Sequence, residues 1–144
     1  MADKFIGNWI CEIPYGDLEG FEAFNAALGT DPALIEKYKG AKASYQYSRD
    51  GDTWTSVVTM NGSAMKSYSF KFNTEQESDG MDGKTYKSFY KMEGDVWVET
   101  SVPKDGSNKG ITAKRTINGD VLTSVTTVNG SNPPISITIP RKRQ

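Results

Sequence analysis

The sequence predicts an all-β fold, a ten-stranded up-and-down antiparallel β-barrel capped by a helix-turn-helix lid. Three observations carry that expectation. Runs of alternating polar and apolar residues are punctuated by Asn-Gly and Asp-Gly pairs about every ten residues. One stretch, Gly20 to Gly40, departs from this and spaces its apolar residues as helices do. A meander of this many strands leaves two unpaired edges unless it closes on itself, which makes a barrel the natural solution.

The first strand is expected over Lys4–Ile13, with Gly7 marking a bend or close approach. Its alternation puts Phe5, Trp9 and Cys11 on one face. In the helical stretch, Phe21, Phe24 and Leu28 share a stripe, and Gly29 sits where a helix end favours positive φ. Asp31-Pro32 then supplies an N-cap residue followed by the residue best tolerated at the first helical position. Leu34, Ile35 and Tyr38 continue on one face until Gly40. Two helices this short bury little alone, so their stripes must rest on a sheet end.

Strands follow over Ala41–Arg49, Thr53–Met60, Ala64–Phe72, Thr85–Met92, Val96–Val102, Lys109–Ile117, Val121–Val128 and Ile135–Arg143. A weak strand near Thr74–Ser78 completes the ten. The turns between them include Asp50-Gly51, Asn61-Gly62, Asp105-Gly106, Asn118-Gly119 and Asn129-Gly130, whose residues tolerate the φ > 0 a tight hairpin demands. The Thr53–Met60 alternation turns Trp54, Ser56, Val58 and Met60 inward, and Tyr68, Phe70 and Phe72 share a face of their strand.

Composition bounds the function. At 144 residues the chain, 1–144, is read as one domain with the lid over about 17–40. Seventeen Lys and Arg against 18 Asp and Glu give a net charge of −1, with no global signal for nucleic acid. No run is apolar for the ~20 residues that cross a bilayer. The chain has no histidine, which removes the usual general base, the commonest metal ligand and every Ser-His or Cys-His nucleophile pair. No enzyme activity, no metal and no cofactor are therefore expected. The single Cys11 forms no internal disulfide and suits a reducing compartment, so a cytoplasmic location is expected. Lys37, Lys39 and Lys42 read either as a solvated helix face or as a transient contact for anionic membranes. Asn61-Gly62-Ser63 and Asn129-Gly130-Ser131 match a glycosylation sequon but read as hairpin turns.

The opening Phe5-Ile6-Gly7-Asn8-Trp9 is similar to the Phe-x-Gly-x-Trp start of the intracellular lipid-binding proteins, the fatty-acid and retinoid binders. Gly20-Phe21-Glu22-Ala23-Phe24 through Leu28-Gly29 resembles that family's lid, and Ile111–Arg115 with Asn118–Leu122 resembles its strand bearing an interior arginine. The resemblance implies a β-clam of the calycin type. It also implies a monomer that binds and carries a long-chain fatty acid or similar amphiphile without catalysis, its carboxylate held by an interior arginine. Arg115 matches the family's arginine on the eighth strand. The family's closing Arg-x-Tyr falls on Ile139 and Arg141, so Arg141 stands where a tyrosine is usual, on the same face as Ile135, Ile137 and Ile139. A solvated basic run with Lys142 and Arg143 is the competing reading. The family alignment places Trp97, Glu99 and Ser101 inward, whereas hydrophobicity alone chooses Val96, Val98 and Val102.

The expected ligand-binding set is Arg115, Arg141 and Glu99 with Trp54, Val58, Met60, Tyr68, Phe70 and Ala113 on the wall and Phe24, Leu28 and Leu34 on the lid. The chain also resembles, weakly, the heat-soluble barrel proteins of desiccation-tolerant animals. Its hydrophilic mean hydropathy of −0.57 keeps a protective role on the same fold as the alternative.

Overall fold

The computed structural model describes residues 2–61, 63–80 and 82–144; Gly62 of the expected Asn61-Gly62 turn lies outside them. Ten antiparallel strands form one sheet in the order β4-β3-β2-β1-β10-β9-β8-β7-β6-β5. They are β1 (Gly7–Ile10), β2 (Ala43–Asp50), β3 (Thr53–Met60), β4 (Ser63–Phe70) and β5 (Gln76–Asp79), then β6 (Thr85–Glu93), β7 (Val96–Pro103), β8 (Ile111–Asn118), β9 (Val121–Val128) and β10 (Ser136–Arg143). The sheet curls because β1 pairs with both β2 and β10, bringing the two halves of the meander together. Helices α1 (Phe21–Leu28) and α2 (Pro32–Tyr38) lie between β1 and β2 in the chain.

The hairpins form where the Gly-containing pairs predict them. Gly51, Gly94 and Gly119 all take φ between 60 and 63°, which a side chain would oppose. Inward phases then line up across the ladders: Tyr47 opposes Ser56, which opposes Tyr68, and Trp97 opposes Arg115, which opposes Ser124. Trp54, Ser56 and Val58 are buried as the alternation requires.

Two expectations change. The first strand is shorter than Lys4–Ile13, because Ala2–Phe5 winds into a 3-10 turn. Gly7 then takes φ 135°, a conformation closed to L side chains, and a Cβ there would sit 3.0 Å from Arg143 Nη1. Closure is also incomplete. β4 and β5 end the sheet without pairing, since the polar 73–84 segment yields a strand of only four residues. The Gln76 side chain spans that seam, its Nε2 donating to the Ser69 carbonyl at 2.9 Å and its Oε1 accepting from Lys71 N–H at 3.4 Å. The last strand runs on through a proline, since Pro140 lies within β10. Pro140 pairs with Thr123 on the β9 side. Its missing N–H faces the other side, where β1 reaches only Lys142 and Arg143, so no ladder bond is lost.

Candidate functional site

The barrel is plugged at one end. Phe5, Trp9, Tyr47, Trp54, Phe70, Tyr90, Trp97 and Leu122 form a cluster whose members are at most 7% exposed. Trp97 lies at its centre, with the Phe5, Tyr47 and Phe70 rings 4.8–5.6 Å away. Arg143 closes this floor from outside. Its guanidinium lies 4.2 Å from the Trp9 ring centre and donates to the Ile6 and Lys4 carbonyls. Trp9 is fully buried there, its Nε1 donating to the Phe5 carbonyl at 2.9 Å.

At the other end α1 is seated on β9 and β10. Phe21 and Phe24 pack with Cys11, Leu18, Val128 and Ile137. Asn25 is buried there and donates to the Phe21 carbonyl and the Tyr15 hydroxyl. A Cβ at Gly20 would overlap the Ser136 carbonyl oxygen, and Thr138 N–H donates to the Glu19 carbonyl, so the start of α1 lies directly on β10. By contrast α2 has no buried residue. Asp31 caps it by accepting from Ala33 N–H at 2.9 Å.

Between lid and floor lies a cavity of about 600 Å³, within the ~300–1,000 Å³ typical of small-molecule sites. Its wall is apolar toward the lid, with Phe24, Leu28, Leu34, Val58 and Met60, and more polar in depth. Three ionic groups sit deep within it. Arg115 on β8 donates through Nη2 to Glu99 Oε1 on β7 at 2.8 Å, and its guanidinium lies 4.9 Å from the Trp97 ring centre. Glu99 Oε2 accepts from Ser101 Oγ at 2.9 Å, and the Ser101 and Ser88 hydroxyls are 2.9 Å apart. Arg141 on β10 is 3% exposed and lies 4.1 Å above the Tyr45 ring. Among the described residues no carboxylate pairs with it.

Burial alone would lower the Arg115 pKa, but Glu99, with Tyr47 and Tyr45, holds it above its ordinary value. Burial pushes the Tyr47 phenol up, an effect that the positive charges of Arg115 and Arg141 offset only in part. Among the described residues, the deep polar atoms without a protein partner are Arg115 Nε and Nη1, Arg141 Nε, Trp97 Nε1 and Tyr47 Oη. Every one of these can donate. A buried donor without an acceptor is costly, so the chamber is suited to an occupant rich in acceptor oxygens.

Most of the expected ligand-binding set lines this cavity: Arg115, Arg141, Glu99, Val58, Met60, Tyr68, Phe70, Phe24, Leu28 and Leu34. Two do not. Trp54 is drawn down into the floor, stacked with Phe70, and Ala113 is buried on the inward phase with a methyl too short to reach the chamber. Of the two readings of β7, the family alignment holds, because Trp97 and Glu99 face in while Val98 is covered on the outer side between Lys91 and Lys114. Arg141 is likewise interior, and only Lys142 and Arg143 form the exposed basic end. Sequence reasoning missed Tyr45 and Tyr47 on β2 and Ser88 on β6, all on the wall. The signal was present in the two-residue spacing of Ser-Tyr-Gln-Tyr-Ser, which places both tyrosines on one face. Lys39 pairs with Glu36 at 2.9 Å, which reduces the positive charge free for membrane contact on α2.

No protein-family model matches the chain. The liver fatty acid-binding protein of Sus scrofa is 31% identical over 110 residues, covering 76% of this chain and 81% of that protein. Among solved structures, a Schistosoma mansoni fatty acid binding protein in complex with arachidonic acid superposes with a TM-score of 0.81. It is 23% identical and covers 97% of this chain and 96% of its own. Secretory abundant heat soluble protein 4 from Ramazzottius varieornatus gives the same TM-score at 21% identity, covering 97% and 94% of the two chains.

Proposed function

The chain belongs to the fatty-acid-binding protein family, and from that membership we propose that it binds a long-chain fatty acid or related amphiphile in its cavity and carries it as a monomeric, single-domain cytoplasmic protein. The observation that carries this reading is the pairing of an apolar chamber near the lid with buried, unpartnered arginine donors in its depth. An acyl chain gains about 0.8 kcal/mol per buried CH₂. Its carboxylate supplies the acceptor oxygens that Arg115 and Arg141 lack. Binding is non-covalent and without catalysis: the chain has no histidine, and the carboxylate that accepts from the Ser101 hydroxyl, Glu99, is already paired with Arg115. Contact with anionic membranes during delivery involves Lys37 and Lys42, both exposed.

Displacement of a fluorescent fatty-acid probe from delipidated protein tests the reading. Saturable displacement by oleate at micromolar or lower concentration is expected; its absence overturns the proposal. The second reading, a heat-soluble protective protein on the same fold, draws on the structural likeness to the Ramazzottius protein and on the hydrophilic composition. Full solubility after boiling together with no probe displacement would favour it.

A further inference from the structure

Within the lipid-binding reading, the two interior arginines are not equivalent. Arg115 is already engaged: Glu99 lies 2.8 Å from its Nη2, and Ser101 and Ser88 extend the bonded chain behind the carboxylate. As an ion pair the two contribute no net charge to the chamber. Arg141 is the more deeply buried of the two, yet it faces a tyrosine ring and no described carboxylate, and its Nε has no partner among the described residues. Two guanidiniums against one carboxylate leave the deep interior with a single positive charge, and that charge belongs to Arg141. Asp31, Asp82 and Lys84 also border the cavity, but they sit at its exposed mouth, where water screens them.

We propose that Arg141 alone sets the preference for an anionic ligand, and that the Glu99–Arg115 pair is a charge-silent polar wall that tunes the chamber to ligands bearing one negative charge. The free donors on Arg115, Nε and Nη1, can bond an alcohol or an ester oxygen as well as a carboxylate oxygen, and the adjacent Glu99 charge offsets the preference they would otherwise have for an anion. A buried guanidinium without a counter-ion gains most from a full negative charge, because the low-dielectric interior strengthens that attraction and desolvation of Arg141 is already complete. A dianionic head group would leave one negative charge unmatched beside Glu99 and is disfavoured.

The test compares oleate with oleyl alcohol, which differ in head-group charge and share the chain. Dissociation constants are measured by probe displacement on delipidated wild-type protein, on the double variant E99Q/R115Q and on Arg141→Gln. The double variant is expected to keep the wild-type preference for oleate within about threefold. Arg141→Gln is expected to lose roughly tenfold to a hundredfold of it, the range for a hydrogen bond to a charged group. Should Arg141→Gln fail to fold by circular dichroism, Arg141→Lys keeps the charge and is expected to keep most of the preference. Loss of the preference in the double variant, or its retention in Arg141→Gln, overturns the assignment while leaving lipid binding intact. Failure of the wild-type protein to take up either probe overturns lipid binding and this assignment with it.

Discussion

The floor of the barrel and its lid use similar residue types to opposite effect. The floor gathers eight buried side chains, seven from strands far apart in the chain and Phe5 from the 3-10 turn, three of them tryptophan, and Arg143 braces it from beneath. At the lid end six buried side chains cluster, and of the two helices only α1 contributes to them, through Phe21 and Phe24; α2 buries none. Aromatic rings packed edge to face in a closed end cannot move independently. A short helix with no fully buried side chain, only half-buried ones such as Ile35, has less to hold it against opening. The comparison teaches that the cavity has one structural end and one end suited to passage, and that the boundary runs through the lid, between α1 and α2.

The strongest way to break the comparison is to attack the floor. Trp97→Ala removes the ring on which Phe5, Tyr47 and Phe70 converge and is expected to cost about 3–5 kcal/mol in urea unfolding. A loss under 1 kcal/mol would show that the floor is not the structural end. The seat of α1 comes next. Gly20 takes φ 87°, and an added Cβ overlaps the Ser136 carbonyl, so Gly20→Ala is expected to cost roughly 1–3 kcal/mol in the same assay. Alanine at Gly29, which has open space around it, should cost less despite its own positive φ.

At α2 the expected effect on stability is smallest. Asp31→Ala removes the N-cap and should lower stability by about 1 kcal/mol or less, with a larger relative effect on the rate of probe release measured by stopped flow. Hydrogen exchange sharpens the same contrast without mutation. Amides of Phe21–Leu28 and of residues 33–38 should exchange faster in the empty protein than in the oleate-loaded one, with α2 the faster of the two helices, while β7 and β8 change little. Equal protection with and without ligand would make the lid plain packing.

The tyrosines give a pH dependence that reports on the wall. Burial raises the Tyr68 phenol from 10.0 to about 12, and burial pushes Tyr90 higher still, with Glu99 adding to the effect. Between pH 10 and about 12 the unfolded chain gives up these protons while the folded chain holds them. The stabilisation is therefore complete below pH 10 and lost as pH rises through that window. Thermal melts that fall across it, in step with tyrosinate absorbance on unfolding, are the expected result. A flat profile would place Tyr68 in water.

Much of the fold was legible because its signals are local. Thr53–Met60 and Val121–Val128 are strands at the expected bounds, since each is an alternating run preceded by a turn pair that admits positive φ. The lid was legible for the same reason, through Gly29 and Asp31-Pro32. Lys4–Phe5 misled because an alternating apolar pattern at a chain end is also satisfied by a 3-10 turn that carries Phe5 into the floor. Trp54 misled because inward phase alone does not distinguish a packed floor from an open wall. β7 was ambiguous because both of its faces are covered, and hydrophobicity counts burial without direction.

By itself, then, the sequence determined the number and order of the strands, the place of the lid and the absence of histidine chemistry. Those follow from periodicity, turn residues and composition, which act over a few residues or none. Tertiary structure decided which arginine is free. Glu99 meets Arg115 because β7 and β8 align Trp97 with Arg115 across the ladder, and Arg141 comes to lie over Tyr45 because β1 draws β10 and β2 to its two sides. The physical reason is that a buried charge is settled by what stands opposite it, and in a curled sheet that partner comes from strands the chain does not place side by side.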